Sequence, residues 1–201
     1  MKHLKEFINE KFKINSNTSL YSEKPMTEYA LRKILEERLE KDKNANLNDI
    51  DVSEIIDMSN LFSNLDPHKI DISEWDVSNV TCMYYMFEEC KNLECDLSKW
   101  DVSNVSDTSG MFIKCQKFNS DLSNWNVSKL INAGNMFHGC WKFNSDLSAW
   151  DVSEVVNMVC MFYNCKEFNY DLSNWDVSNV KGMYKMFEDC DSLKKIPKWY
   201  K

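Results

Sequence analysis

From about residue 46 onward, apolar and polar positions return in the same order every 25 residues. Tryptophan stands at 75, 100, 125, 150 and 175, phenylalanine at 62, 87, 112, 137, 162 and 187, and cysteine at 90, 115, 140, 165 and 190. No insertion breaks any of the three series. The unit reads roughly D-L-S-x-W-D-V-S-x-V-x-x-M-x-x-M-F-x-x-C-x-x-F-N-x. Four clean copies begin at Asp71, Asp96, Asp121 and Asp146, and a fifth runs from Asp171 to Lys195. Residue types kept in step over that many copies are the signature of a repeat architecture.

Two periods alternate within a unit. In W-D-V-S, Trp and Val point one way and Asp and Ser the other, which predicts a short strand-like stretch. In the later part, Val80, Met83, Met86, Phe87 and Cys90 are spaced by three and four. That spacing predicts one helical face or a run of 3₁₀ turns. A single unit cannot bury both apolar faces, but stacked copies can, each strand pairing with the next at about 4.8 Å. The expected fold is therefore α/β: a leucine-rich-repeat-like solenoid of about six 25-residue rungs with a parallel sheet, preceded by an α-helical N-terminal segment.

The ends of the array are degenerate, as terminal repeats of a stack should be. An opening copy starts near Asn46-Leu47, with Ile50 in the Trp position and Asp51-Val52-Ser53 intact. The closing copy is compressed to Ile196-Pro197-Lys198-Trp199. Pro197 and the surrounding lysines would blunt an exposed strand edge. Residues 1–45 form a separate segment and residues 46–201 the repeat domain. In the first, Leu4, Phe7, Ile8 and Phe12 make an amphipathic stripe at helical spacing. A second helix begins after Pro25 with Thr27 as its cap, and Leu31, Ile34, Leu35 and Leu39 make its apolar face. Two readings stay open for these helices: a cap on the first repeat, or a docking or packaging tag.

Two aspartate registers recur where the period changes, at 71, 96, 121, 146 and 171, and at 51, 76, 101, 151 and 176. Stacked carboxylates repel and raise one another's pKa unless backbone amides bind them. Asn126 replaces one Asp without breaking the repeat, which favours turn formation over a need for charge.

The net charge of −8 is uneven. Residues 1–45 carry 10 Lys/Arg against 8 Asp/Glu, and the remainder 14 against 24. An acidic body lacks the electrostatic footprint of a nucleic-acid binder. No apolar run approaches the ~20 residues that span a bilayer, so membrane insertion is not expected. The charged start, MKHLKEFINEKFKIN, lacks a signal-peptide core, which predicts a cytoplasmic location by default.

Eight cysteines raise the question of a disulfide framework. Five fall in one register on the apolar face. Stacked neighbours would have bridging Cα distances but parallel Cβ vectors, which favours buried thiols acting as small hydrophobes. Cys82, Cys95 and Cys160 fall outside that ladder. No Cys-x-x-Cys pair with histidines suggests zinc. The aspartate rows lack the glycine-rich nonapeptide of calcium-binding solenoids, which argues against calcium. His3, His68 and His138 lie outside the consensus, and no phosphate loop, nucleophile elbow or zinc-protease motif occurs. Neither catalysis nor a cofactor is expected.

Registers that vary while the consensus holds should face solvent. Ile113, His138 and Tyr163 share one such register, and Trp141 lies three positions beyond His138. Tyr84, Tyr85 and Tyr184 occupy a neighbouring one. Exposed aromatic clusters mark interfaces, so these seven residues form the candidate partner-binding surface; the competing reading packs some of them between rungs.

The phrases Trp75-Asp76-Val77-Ser78-Asn79-Val80-Thr81, Met86-Phe87-x-x-Cys90 and Phe118-Asn119-Ser120-Asp121-Leu122-Ser123 resemble the BspA-like leucine-rich-repeat surface proteins, a domain of unknown function. The resemblance covers about residues 46–200. It implies adhesion or protein binding and a cell-surface location. The function expected from it is a non-enzymatic scaffold for protein–protein recognition or adhesion. The alternative is a virion- or envelope-associated structural component directed by the N-terminal helices. The segment Leu4–Glu10 also resembles short N-terminal stretches of some gut-bacterial phage proteins.

Overall fold

The computed structural model describes residues 21–201. The stripe of Leu4, Phe7, Ile8 and Phe12 lies outside the described residues. Among those described there is one α-helix, α1 (Glu28–Lys41). The rest is a column of coils, each 25 residues long and hydrogen-bonded to the next.

A coil is a chain of tight turns. In the copy that begins at Asp96, backbone N–H groups close turns from Trp100 to Leu97 (3.1 Å), Val105 to Val102 (2.9 Å), Met111 to Thr108 (3.0 Å), Cys115 to Phe112 (3.0 Å) and Phe118 to Cys115 (3.2 Å). First and fourth residues of every one of these turns are buried. The spacing of three that suggested a helical face is thus the span of a β-turn. The turns do not fuse into a helix because left-handed residues interrupt them. Residues 60, 85, 110, 135, 160 and 185 all have positive φ, and so do 64, 89, 114, 139, 164 and 189. Gly110 and Lys114 stand third in turns 108–111 and 112–115, the position that φ above zero defines as type II.

The expected parallel sheet is not there. The contacts between coils that have strand character are isolated parallel bridges: Asp57 to Cys82, Cys82 to Asp107, Asp107 to Asn132, Asn132 to Asn157 and Asn157 to Gly182, with Glu23 to Ile50, Asn46 to Asp71 and Lys69 to Glu94 elsewhere. Named strands are absent among the described residues, so the α/β, leucine-rich-repeat-like assignment is corrected to a column of turns. The reason lies in the aspartates. Asp96 Oδ1 accepts the N–H of Ser98 at 2.9 Å, and Asp101 Oδ1 that of Ser103 at 3.0 Å. These side-chain turns bend the chain at the start of D-L-S and again at D-V-S, before extended backbone can accumulate. The alternation in W-D-V-S survives on a bent path: Trp100 and Val102 are buried, Asp101 is exposed.

The same bonds decide the charge question. The carboxyls of Asp96, Asp101, Asp151 and Asp171 are held below the usual range, first by serine or lysine side-chain hydrogen bonds and then by serine amides. Repulsion from Asp121 on Asp96, and from Asp176 on Asp151, acts the other way and loses. Asn126 makes the equivalent bond to Ser128 N–H at 3.2 Å, so the turn does not need a charge.

Identical side chains lie over one another. Phe87, Phe112, Phe137 and Phe162 stack with centroids 5.5 to 5.7 Å apart between neighbours. Trp125 and Trp150 are 6.4 Å apart and nearly parallel. Each indole also donates to a carbonyl one coil back, as Trp125 Nε1 does to Leu97 O at 2.9 Å. Side-chain amides stitch the outside: Asn144 and Asn169 N–H bind Asn119 and Asn144 Oδ1 at 2.9 and 3.0 Å.

Helix α1 covers the first coil. Thr27 accepts the N–H of Ala30 at 3.2 Å and starts the helix. Leu31, Leu35 and Leu39 are buried in the same core as the repeats. Arg32 donates to the carbonyls of Asn60, Leu61 and Ser63, and Lys43 to that of Leu65. No helix among the described residues is long and apolar enough to cross a membrane.

The left-handed registers carry a prediction. A residue with a Cβ costs about 1 kcal/mol or more there, and glycine does not. Cys160 (φ 53°) is half-exposed, so Cys160→Gly should raise stability by roughly 1 kcal/mol, a melting-temperature gain of a few degrees. Gly139→Ala (φ 74°) should lower it comparably; calorimetry on the two variants reads both signs.

Candidate functional site

The buried cysteines have a structural task. Cys115, Cys140 and Cys165 each donate through Sγ to a phenylalanine carbonyl in the preceding coil, at 2.9, 2.9 and 3.0 Å. Burial pushes their thiols far up, away from the reactive thiolate. All eight cysteines are free, and Cys82, Cys95 and Cys160 are half-exposed. Among the described residues no group of three or more His, Cys, Asp or Glu is placed to hold a metal ion.

Six of the seven predicted surface residues are exposed or half-exposed and fall on three registers of the repeat. Ile113, His138 and Tyr163 lie at 25-residue steps, and Tyr84 and Tyr184, with Tyr85, lie on registers four and three positions before theirs. Up to the last coil the backbone beneath them is engaged: Tyr85, Gly110, Asn135 and Cys160 N–H each donate to the next coil at 2.8 to 3.0 Å. The His138 and Tyr163 rings are 4.8 Å apart. His138 Nδ1 lies 3.3 Å from Asn135 Oδ1, and burial followed by the Lys114 charge pulls its pKa down, so the ring is neutral at pH 7. Lys185 reaches over both Tyr163 and Tyr184, at 5.9 and 5.5 Å from the centroids.

Two residues differ from expectation. Trp141 is 44% exposed but stands in the register of Gln116 and Lys166. Its ring stacks on none of the others among the described residues. Tyr85 is half-buried against its neighbours: its ring packs edge-on to Tyr84 at 4.2 Å and leans over Gly110, where an added Cβ would meet it at 2.8 Å. Lys185 was missed, although a lysine in a register otherwise held by Asn, Tyr, Gly and Cys was visible.

A family model described as Mycoplasma protein of unknown function, DUF285, matches residues 30–140 and 122–200. The chain belongs to the DUF285 family. At family level this agrees with the BspA-like resemblance of the repeats, and it assigns DUF285 no activity. The matched residues take in both α1 and the repeats, so this DUF285 chain is matched as cap and column together. Searches of curated proteins and of solved structures return no match.

Proposed function

We infer that this chain is a non-enzymatic repeat scaffold that recognises another protein, in the manner the adhesion-associated BspA-like resemblance implies. The observation that carries this reading is the aromatic side of the column. Tyr84 and Tyr184 are 41% and 69% exposed, on a register near that of Ile113, His138 and Tyr163, and the N–H groups of Tyr85, Gly110, Asn135 and Cys160 between them are already bonded to the next coil. Tyrosines supply large contact area at low entropic cost, and a rigid support lowers the cost of ordering on binding. Variation of side chain on a constant backbone suits recognition better than chemistry, which would need convergent titratable groups.

The test replaces Tyr84, Ile113, Tyr163 and Tyr184 by Ser together. Thermal unfolding should shift by only a few degrees, because none of the four is fully buried. Affinity capture from the native cell lysate should lose the partner that wild type retains. Capture that persists at full yield contradicts the assignment of this side; collapse of the fold shows that the four residues are core.

A further inference from the structure

The coils are bonded to one another in one direction along one side. Met83, Tyr85, Phe87 and Glu89 N–H donate to the carbonyls of Asp107, Ser109, Met111 and Ile113 at 2.8 to 3.0 Å. Met158, Cys160, Phe162 and Asn164 do the same to Gly182, Tyr184, Met186 and Glu188 at 2.7 to 3.0 Å. In a β-strand, donors and acceptors alternate along each edge. Here the left-handed residues flip peptides so that N–H groups gather on one edge, as in a nest. Peptide dipoles on this side therefore align along the column, with carbonyls at the first coil and N–H groups at the last.

The carbonyl end is capped by cations, Arg32 on Asn60, Leu61 and Ser63 and Lys43 on Leu65. At the donor end the described residues supply no such cap. Among the described residues nothing accepts from the N–H groups of Met183, Lys185, Phe187 and Asp189. Residues 196–201 pack on side chains of the last coil, Trp199 on Trp175 at 6.4 Å and Tyr200 edge-on to Phe187 at 5.2 Å, without accepting from those four N–H groups. Val177, Val180, Met183 and Leu193 are half-exposed, whereas their counterparts Val152, Val155, Met158 and Phe168 are at most 2% exposed. Residues 181–201 hold six lysines against three acidic residues, a net +3 in a chain of −8.

We propose that this end is a docking edge for an acidic polypeptide segment that lies across it as a further coil would. Its carbonyls accept the four N–H groups, its apolar side chains cover Met183 and Leu193, and its carboxylates meet the lysine rim. The edge already makes this contact four bonds at a time between coils of the chain, so the interface is a continuation of one that exists. A second copy is a poor occupant. Two such ends face to face would oppose donors to donors and lysines to lysines, and the other end of a second copy is under α1. This edge adjoins the aromatic side at Tyr184 and Lys185, but its test reads backbone amides and not partner capture, so the two readings can fail separately.

The test is amide hydrogen exchange on the 201-residue chain, with a synthetic peptide of the sequence of residues 71–95, which carries six acids and one lysine. In the free chain, amides 183, 185, 187 and 189 should exchange fast while 158, 160, 162 and 164 are slow. Saturating peptide should slow the first four by at least about tenfold. The effect should weaken with salt and in the Lys181→Glu/Lys194→Glu/Lys198→Glu variant, whose three lysines make no ion pair among the described residues. A control peptide of residues 121–145, with one acid and two lysines, should protect much less. Equal protection by the control, or none by either, overturns the proposal. Protection of the four amides in the chain alone, with a dimer in sedimentation, overturns it in favour of a second copy.

Discussion

Trp125→Ala should cost about 3–5 kcal/mol and lower the melting temperature by roughly 10 °C. The indole is 4% exposed, lies 6.4 Å from Trp150, and gives the Leu97 carbonyl its partner at 2.9 Å. Truncation removes the largest apolar side chain of its coil and leaves a buried acceptor unpaired in the coil before it. Because each coil contacts only its neighbours, the loss should be felt over residues 97–150 and not in the first coil. Trp141→Ala is the internal control: its side chain is 44% exposed and should cost under about 1 kcal/mol. Chemical denaturation of both variants separates ladder from surface. Similar losses for the two would show that exposure does not rank them.

Arg32→Met should cost about 2 kcal/mol, with its effect confined to one end. The guanidinium donates to three carbonyls of the first coil, at 3.2 and 3.1 Å for Leu61 and Ser63, and also pairs with Glu36 at 3.1 Å. Its side chain is 27% exposed, so water replaces part of what is lost and the sum of three charged bonds is not reached. Methionine keeps the apolar stem over the core and removes the donors. Amide exchange should speed up in residues 46–70 and stay unchanged around residues 150–165. Arg32→Lys should recover a part only, since one ammonium cannot span three carbonyls in a planar fork. A uniform loss of protection along the chain would mean that α1 is not an end cap.

The repeat, its register and its core were legible because they depend on side-chain identity. Trp, Phe, Met and Cys recur at 25-residue steps, and each series is buried up to the last coil, where Met183 and Cys190 are half-exposed. The backbone path was not legible. A spacing of three is common to a helical turn and a β-turn, and Val80, Met83 and Met86 satisfy both. The left-handed registers separate them, but only Gly110 and Gly139 carry glycine there. Tyr85, Lys114, Cys160 and Lys185 occupy equivalent positions and disguise the signal. The strand expectation failed for a related reason: Asp-x-Ser turns leave too few extended residues to pair. At the surface, Ile113, His138 and Tyr163 were singled out because they vary within one register, and the rings of the last two adjoin at 4.8 Å. Trp141 is exposed as expected, and no ring contact among the described residues joins it to the other six.

The direct test of the column is detection of hydrogen bonds by through-bond NMR couplings between backbone nitrogen and carbonyl carbon. The structure predicts cross-peaks from Phe112 N to Met136 C′, Lys114 N to His138 C′, Phe137 N to Met161 C′ and Phe162 N to Met186 C′, each 24 residues apart. Couplings confined to neighbours four residues apart, or absence of these four cross-peaks, would contradict the stacking on which the core, the aromatic side and the donor edge all depend.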